Sequence, residues 1–350
     1  MYVAWRDLRF ARGRFALIGA VVALITLLVG FLSGLTGGLA AQNVSGVLGL
    51  PGDRLVLQPV GDAAATFADS RIDDEAVAAW RDATGVQTVI PVGIAQTRAD
   101  GPDGTGAVAL FGLDTAGGPA RDADIVLSAG AAAALGAAAG DDVGIAGSTY
   151  RVDAVTSDSW YSHTPIVTMT PAAWAETDRR LGGQGEPSVL AVSGTADWTA
   201  VAAQTGTTAS TPLASLTALP TFRSEIGSLA LMIAMLFGVS ALVVGAFFTV
   251  WTMQRAGDVA VLKALGASTP ALVRDALGQA LVVLVVGVGL GIGLTAALGA
   301  LAGGALPFVL NPLTTLAPAA VMIALGLLGA AVSLRTVTSS DPLTALGSTR

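Results

Sequence analysis

Three long stretches of this chain contain no charged residue: 15–52, 226–254 and 276–334. A helix needs about 20 apolar residues to cross the hydrocarbon core of a bilayer, so each stretch is long enough to span a membrane. The third is long enough for two crossings, and residues that disfavour helix lie near its middle, namely Pro307, Asn311, Pro312 and Pro318. Because proline ends or kinks helices, the sequence predicts four transmembrane helices, at 15–41, 225–254, 276–304 and 316–336, with an outer loop at 305–315.

The first stretch has an alternative interpretation as a secretory signal peptide. Positive residues precede it, as they do in signal peptides, at Arg6, Arg9, Arg12 and Arg14. The apolar region of a signal peptide usually covers only about 7 to 15 residues, however, and its cleavage site needs small residues. Leu39 and Ala41 make a poor site of that kind. We therefore expect an uncleaved membrane anchor.

The charge distribution predicts the orientation in the plasma membrane. Segments 1–14, 255–275 and 335–350 together hold nine basic and four acidic residues, a sum of +5. The segment between the first two predicted helices holds the other nine basic and twenty-one acidic residues, a sum of −12, which together recover the formal charge of −7. Because cytoplasmic loops are enriched in lysine and arginine, both termini are predicted to be cytoplasmic and the acidic segment to lie outside. This acidity argues against a nucleic-acid partner.

The outer segment, 42–224, is predicted to form an α+β domain. Strand-like runs are expected at 54–60, 86–96, 107–113, 150–156 and 165–169. Helices are expected at 73–83, 129–139 and 171–177. The predicted fold class is therefore a membrane α-helical protein with four transmembrane helices and an α+β extracytoplasmic domain inserted between the first two. The remaining segments are a cytoplasmic amphipathic segment at 1–14, a cytoplasmic coupling segment at 255–275 and a cytoplasmic tail at 337–350.

Residue counts exclude several classes of enzyme. The chain has no cysteine and one histidine, His163, which excludes thiolate chemistry and a metal centre built from several histidines. Its single lysine, Lys263, lies between Leu262 and Ala264, whereas a P-loop needs glycine before the lysine and serine or threonine after it. We therefore predict no ATPase activity, no metal site and no intrinsic cofactor.

The segment after the second predicted helix carries the most specific motif. Residues 255–267 read Arg-Ala-Gly-Asp-Val-Ala-Val-Leu-Lys-Ala-Leu-Gly-Ala. This resembles the cytoplasmic segment of the FtsX-like, MacB-type (type VII) ABC transporter permeases. An Asp-Pro-Leu-Thr-Ala-Leu ending at 341–346 and a Trp-Arg-Asp-Leu-Arg segment at 5–9 are also similar to that family. The resemblance covers the whole predicted topology and implies a homodimer in the membrane with two copies of a separate ABC ATPase.

The same segment is predicted to form a short helix that couples to the ATPase. Asp258 near its start and Lys263 near its end complement the helix dipole, and Gly266 is suited to end it. Leu262 and Leu265 share one apolar face with Val259, which the groove of a soluble partner could bind. The alternative is a loop helix lying on lipid.

Within the family, the chain is most similar to the HrtB-type haem-exporter branch, which implies haem as the transported ligand. Glu225, Ser228, Leu229 and Met232 follow one another at helical spacing near the outer end of the second predicted helix. Carboxylate and thioether both suit haem iron, so Glu225 and Met232 are the candidate iron ligands. The alternative is a surface carboxylate above core methionines. His163, in a Trp-Tyr-Ser-His run of the outer domain, is expected to be an ordinary satisfied residue rather than a haem ligand.

The leading prediction is the permease subunit of an ABC-type efflux pump that expels a lipophilic substrate, haem, from the outer leaflet. The alternatives are an FtsX-like mechanotransmission permease that controls an extracytoplasmic cell-wall hydrolase, export of another hydrophobic substrate, or a membrane-anchored adhesion protein. Two G-x-x-x-G registers, at 287/291 and 289/293, predict close helix packing.

Overall fold

The computed structural model of the protein describes residues 12–254, 257, 261, 266–302 and 306–338. Its contacts divide the chain into a helical unit, made of the residues up to Gly38 and those from Ser228 onward, and a sheet-rich unit, Leu39–Gly227. Among the described residues, four helices are long and apolar enough to cross a membrane: Phe15–Leu48, Pro220–Gln254, Thr269–Leu301 and Pro312–Leu334. The predicted fold class is confirmed.

The strands and helices predicted from the sequence are present, and the sheet-rich unit contains further strands and short helices. The helices are α1 (Arg12–Leu48), α2 (Asp74–Asp82), α3 (Ala129–Leu135), α4 (Pro171–Arg180), α5 (Trp198–Gln204), α6 (Pro212–Ser215), α7 (Pro220–Gln254), α8 (Thr269–Leu301) and α9 (Pro312–Thr338). The strands are β1 (Arg54–Leu57), β2 (Val86–Gly101), β3 (Gly104–Gly112), β4 (Asp124–Ser128), β5 (Asp142–Ile145), β6 (Ser148–Thr156), β7 (Trp160–Tyr161), β8 (Thr164–Met169), β9 (Val189–Gly194) and β10 (Thr208–Ser210).

The bounds of the long helices differ from those predicted, since α7 begins at Pro220 rather than at 225 and α8 covers Thr269–Leu301 rather than 276–304. Helix α1 continues to Leu48 rather than ending at 41, because the hairpin of β7 and β8 binds its last turns. Helix α9 begins at Pro312 because Asn311 caps it, with its Oδ1 accepting from the Thr314 N–H at 2.8 Å. Pro318, which was counted among the residues that disfavour helix, lies inside α9, as the predicted bounds of 316–336 imply. Proline is tolerated within transmembrane helices when neighbouring groups satisfy the freed carbonyl.

One half of the sheet-rich unit is a split βαβ arrangement. Strands β10, β1, β9 and the first part of β2 are neighbours in that order, all antiparallel. Helix α2 connects β1 to β2, and α5 connects β9 to β10, the ferredoxin-like connectivity. The buried core of this half includes Val56, Trp80 and Leu190.

The other half closes a ring of strands. The second part of β2 pairs with β3, and the order continues through β8, β4, β6 and β5. Strand β5 then pairs back with β2 at Ala99 and Asp100, which closes the ring around a second core containing Leu110, Leu127 and Trp174. The length of β2, 16 residues, is what allows one strand to belong to both halves.

Helix packing in the helical unit uses one of the two glycine registers. A Cβ atom at Gly291 would lie 2.5 Å from Thr26 Cβ and 2.7 Å from the Ala23 carbonyl oxygen, and one at Gly287 would lie 2.9 Å from Val22 Cβ. The other register, Gly289 and Gly293, has no described atom within 4 Å of such a Cβ. Of the two registers, the one formed by Gly287 and Gly291 therefore lets α8 approach α1 closely.

We predict that Gly291→Leu destabilises the helical unit. The added side chain overpacks the contact with α1, which typically costs about 1–3 kcal/mol, and the apparent Tm of the purified protein in detergent should fall. Gly293→Leu adds the same side chain two residues away in open space and is the matched control. Equal thermal stability of the two variants would contradict the packing described here.

Candidate functional site

The turn between β7 and β8 has an unusual backbone. Trp160 pairs with Pro165 and Tyr161 with Thr164, which leaves Ser162 and His163 as a two-residue loop. Their φ angles are 45° and 64°, as in a type I′ turn, where Asn-Gly is the usual sequence. The left-handed conformation costs roughly 1–2 kcal/mol for each residue other than glycine. Such a turn persists only where surrounding contacts hold it.

The end of α1 supplies those contacts. The Ser162 N–H donates to the Asn43 carbonyl and the His163 N–H to the Gln42 carbonyl, both at 3.0 Å. Ser45 Oγ accepts from the Trp160 N–H at 2.9 Å. A Cβ at Gly46 would lie 2.2 Å from Ile166 Cδ1 and 3.0 Å from the Trp160 carbonyl, so glycine is needed for the close approach. The β7–β8 hairpin is therefore fixed along the last turns of α1.

The base of the hairpin is anchored in the domain core through Tyr161. Its ring makes edge contacts with Phe67 and Phe111, at centroid distances of 6.5 and 5.7 Å. Burial raises the pKa of the Tyr161 phenol well above its usual range, against a smaller lowering by Arg71. The phenol is thus neutral at physiological pH, and the hairpin base is an apolar anchor.

At the hairpin tip, His163 meets the beginning of α7. His163 Nε2 lies 2.9 Å from Glu225 Oε2, and the Asn43 Nδ2 group donates to the same oxygen at 3.2 Å. The His163 side chain is 35% exposed and that of Glu225 28% exposed, so solvent and small molecules reach the pair. We call Asn43, His163 and Glu225 the carboxylate cluster.

Asn43 is the buried member of the cluster, with no exposed surface. Its Oδ1 has no hydrogen-bond partner within the described part of the chain. An unpaired buried carbonyl costs about 1–3 kcal/mol. The carboxylate cluster therefore combines an unpaired buried amide oxygen with a strained turn. Both features are found at functional sites.

The four residues predicted for substrate binding all lie on α7. Glu225 and Leu229 are half-buried, Ser228 is exposed, and Met232 is 49% exposed. Glu225 and Met232 are separated by two turns, about 10 Å along the helix axis. The structure adds Asn43 and His163 to Glu225, and sequence analysis missed both contacts. His163 is a satisfied residue, as expected, but the identity of its partner was not predicted.

Helix α7 is the least covered of the four long helices. In its most apolar segment only 11% of the residues are buried, against 22–33% in the corresponding segments of the other three helices. Large exposed apolar side chains along it include Leu231, Met235, Val239 and Leu242. This face is available to lipid or to another protein surface.

The predicted coupling residues are only partly described. Asp258, Leu262, Lys263 and Leu265 lie outside the described residues. Gly257 and Val261, in the same segment, are helical. Gly266 has a φ of 95°, the conformation that glycine adopts just after a helix end.

The described residues include no group of three or more histidine, cysteine, aspartate or glutamate side chains that could hold a metal ion. The carboxylate cluster has one carboxylate and one imidazole.

Comparisons with known proteins place these features in context. Residues 230–342 match the family described as FtsX-like permease C-terminal. A Staphylococcus haemolyticus protein with the provisional description hemin transport system permease protein HrtB is 26% identical, over 99% of this chain and 99% of its own length. A Staphylococcus epidermidis protein of the same description is 22% identical over the same shares.

Two solved structures are similar to parts of the chain at 11% identity. The periplasmic region of MacB from Actinobacillus actinomycetemcomitans matches 48% of this chain and 92% of that structure, with a TM-score of 0.36. The extracellular domain of the noncanonic ABC-type transporter YknZ from Gram-positive bacteria matches 45% and 98%, with a TM-score of 0.33. These scores are too low to establish a shared fold.

Proposed function

We propose that this chain, whose residues 230–342 form an FtsX-like permease domain, is the membrane subunit of an ABC-type efflux pump for haem. The observation that carries the proposal is the similarity to two proteins described as hemin transport permeases, which extends over 99% of both chains. Similarity over that extent includes the outer domain and all four long helices. A shared permease domain alone would leave the substrate open.

The chemistry of α7 supports haem as the substrate. Glu225 offers a carboxylate and Met232 a thioether, both ligand types that haem iron accepts. Both side chains are partly exposed, and the residues between them, such as Ser228 and Leu229, lie along the same helix. A porphyrin lying against the apolar residues of α7 would keep its propionates at the aqueous edge, with the iron within two turns of Glu225.

We further propose that two copies of the chain act together. The poorly covered face of α7 would bind the second copy, and haem would reach the site from the outer leaflet between them. Two separate ATPase subunits would bind the coupling segment through Leu262 and Leu265, with Asp258, Lys263 and Gly266 defining the short helix. Closure of the ATPases on ATP would move the helices and expel the substrate. Both termini would be cytoplasmic and the sheet-rich unit outside.

The hairpin contact also supports a second candidate function. The β7–β8 hairpin joins the end of α1 to the start of α7 through Asn43 and Glu225. Movement of either helix end would therefore pull on the hairpin whether or not a substrate passes. A mechanotransmission permease that activates a cell-wall hydrolase would use such a connection, and export of another hydrophobic substrate would use it as well.

Titration of the purified protein with hemin, followed by its Soret band, tests the proposed substrate. Saturable binding with a shifted band supports a haem pump. Absence of binding by folded protein contradicts it and favours mechanotransmission or another substrate.

A further prediction concerns ATP turnover. The chain purified alone should not hydrolyse ATP, because its single lysine lies in no P-loop. Hydrolysis should begin when the cognate ATPase subunit is added. Robust ATP turnover by a preparation shown by mass spectrometry to contain no other subunit would contradict the proposal that a separate subunit hydrolyses ATP.

A further inference from the structure

We propose that His163 is a positioning residue for Glu225, through which the outer domain sets the affinity of the substrate site. This inference rests on the proposed function, because Glu225 is taken there as a haem-iron ligand. It goes further by assigning a role to a hairpin of the sheet-rich unit. His163 itself does not bind the iron.

Two donors converge on one oxygen of the carboxylate. His163 Nε2 and Asn43 Nδ2 are both within hydrogen-bond distance of Glu225 Oε2, at 2.9 and 3.2 Å. Two directional contacts to one oxygen fix the rotation of the carboxylate plane, so the direction of its second oxygen is also fixed. Partners of this kind, which hold a metal ligand without touching the metal, typically change metal affinity by 10- to 100-fold when removed.

The backbone enforces the position of the imidazole. The tip of the hairpin adopts two consecutive left-handed residues, Ser162 and His163, and the carbonyls of Gln42 and Asn43 bind both of their N–H groups. A more relaxed turn would aim the side chain elsewhere. Because these contacts keep the strained turn in place, the imidazole stays within hydrogen-bond distance of Glu225.

The closeness of His163 to the site also explains why it need not be an iron ligand. Its Nε2 atom already faces Oε2, and an imidazole nitrogen that donates to a carboxylate has no lone pair there for a metal. The Nε2 atom therefore acts on the iron through Glu225.

The test compares His163→Gly with the wild-type chain by hemin titration. Glycine removes the imidazole and prefers the left-handed turn, so the variant should fold at least as well. We expect hemin binding to weaken about 10- to 100-fold, with the Soret maximum of the saturated complex unchanged. His163→Gln, which restores a donor, should recover part of the affinity, and Ser162→Ala, in the same turn but outside the cluster, should bind as the wild type does.

A second readout uses the fact that the chain has a single histidine. In protein with a histidine-free affinity tag, the absorbance of the carbethoxylated imidazole that diethyl pyrocarbonate forms reports on His163 alone. We expect Glu225→Ala to speed this modification about 2- to 5-fold without hemin, as for loss of a partly exposed pair. Bound hemin should leave the wild-type rate slow, because the contact is retained.

Each contrary outcome has a distinct meaning. Unchanged affinity in His163→Gly overturns the positioning role, while a shifted Soret maximum shows that His163 is itself a ligand. Faster modification in the hemin complex shows that the carboxylate leaves His163, which also overturns the inference. No hemin binding by the wild-type protein contradicts the proposed function itself, whereas normal binding with no difference between the variants contradicts only this inference.

Discussion

Replacing Glu225 and Met232 together with alanine should weaken hemin binding by more than about 100-fold, which corresponds to about 2.8 kcal/mol. The double variant removes both candidate iron ligands from α7, and apolar contact with the porphyrin alone would remain. A Soret titration of the purified protein in lipid nanodiscs measures the change, and the export phenotype of cells carrying the variant should be lost with it.

Met253→Ala is the matched control for this experiment. Met253 is exposed on the same helix, near its opposite end, so the variant loses the same thioether away from the carboxylate cluster. It should bind hemin as the wild-type chain does. Retained tight binding by the Glu225 and Met232 double variant would place the iron elsewhere and remove α7 from the site.

The second large effect is expected in the coupling segment. Leu262→Asp combined with Leu265→Asp should abolish co-purification with the ATPase and stimulation of its turnover. Burial of each leucine in the partner's groove would contribute about 1.5–3 kcal/mol, so loss of both weakens the complex by about 100-fold or more. Pull-down with the cognate ATPase and a coupled ATPase assay measure the two effects.

Gly257→Asp serves as the control for that variant. Gly257 is helical and exposed, and a Cβ there would meet no described atom within 4 Å. It precedes Leu262 by five residues, which at helical spacing is a different face, so an added charge there should be tolerated. The thermal stability of all three proteins should remain similar, which a melting curve of each purified protein checks. Unchanged assembly and turnover in the double variant would rule out the coupling role.

The general architecture could be predicted because membrane helices have a strong local signal. Uncharged runs identified all four long helices, and proline and asparagine identified the turn before Pro312. The ends of these helices were harder to predict from the sequence. Whether α1 ends at 41 or at Leu48 depends on contacts with the β7–β8 hairpin and not on the composition of α1.

The carboxylate cluster could be predicted only in part. Glu225 was identifiable as an ionisable residue at the edge of an apolar run. Its contacts with His163 and Asn43 were not, because 62 residues separate His163 from Glu225 and 182 separate Asn43 from Glu225. Such pairings depend on the closed sheet that places the hairpin, and no periodicity in one sequence reports them. One local feature of the sequence points to this place. Ser162 and His163 form a two-residue turn without the glycine that such turns favour.

The central claim is that this chain moves haem with energy from a partner ATPase. The most direct measurement uses proteoliposomes containing the chain and its ATPase, loaded with hemin, with a haem-free globin as acceptor in the surrounding solution and an ATPase variant unable to hydrolyse ATP as control. We expect ATP to accelerate transfer of hemin to the globin in the active complex only. Vigorous ATP hydrolysis with no acceleration of hemin transfer would contradict the claim.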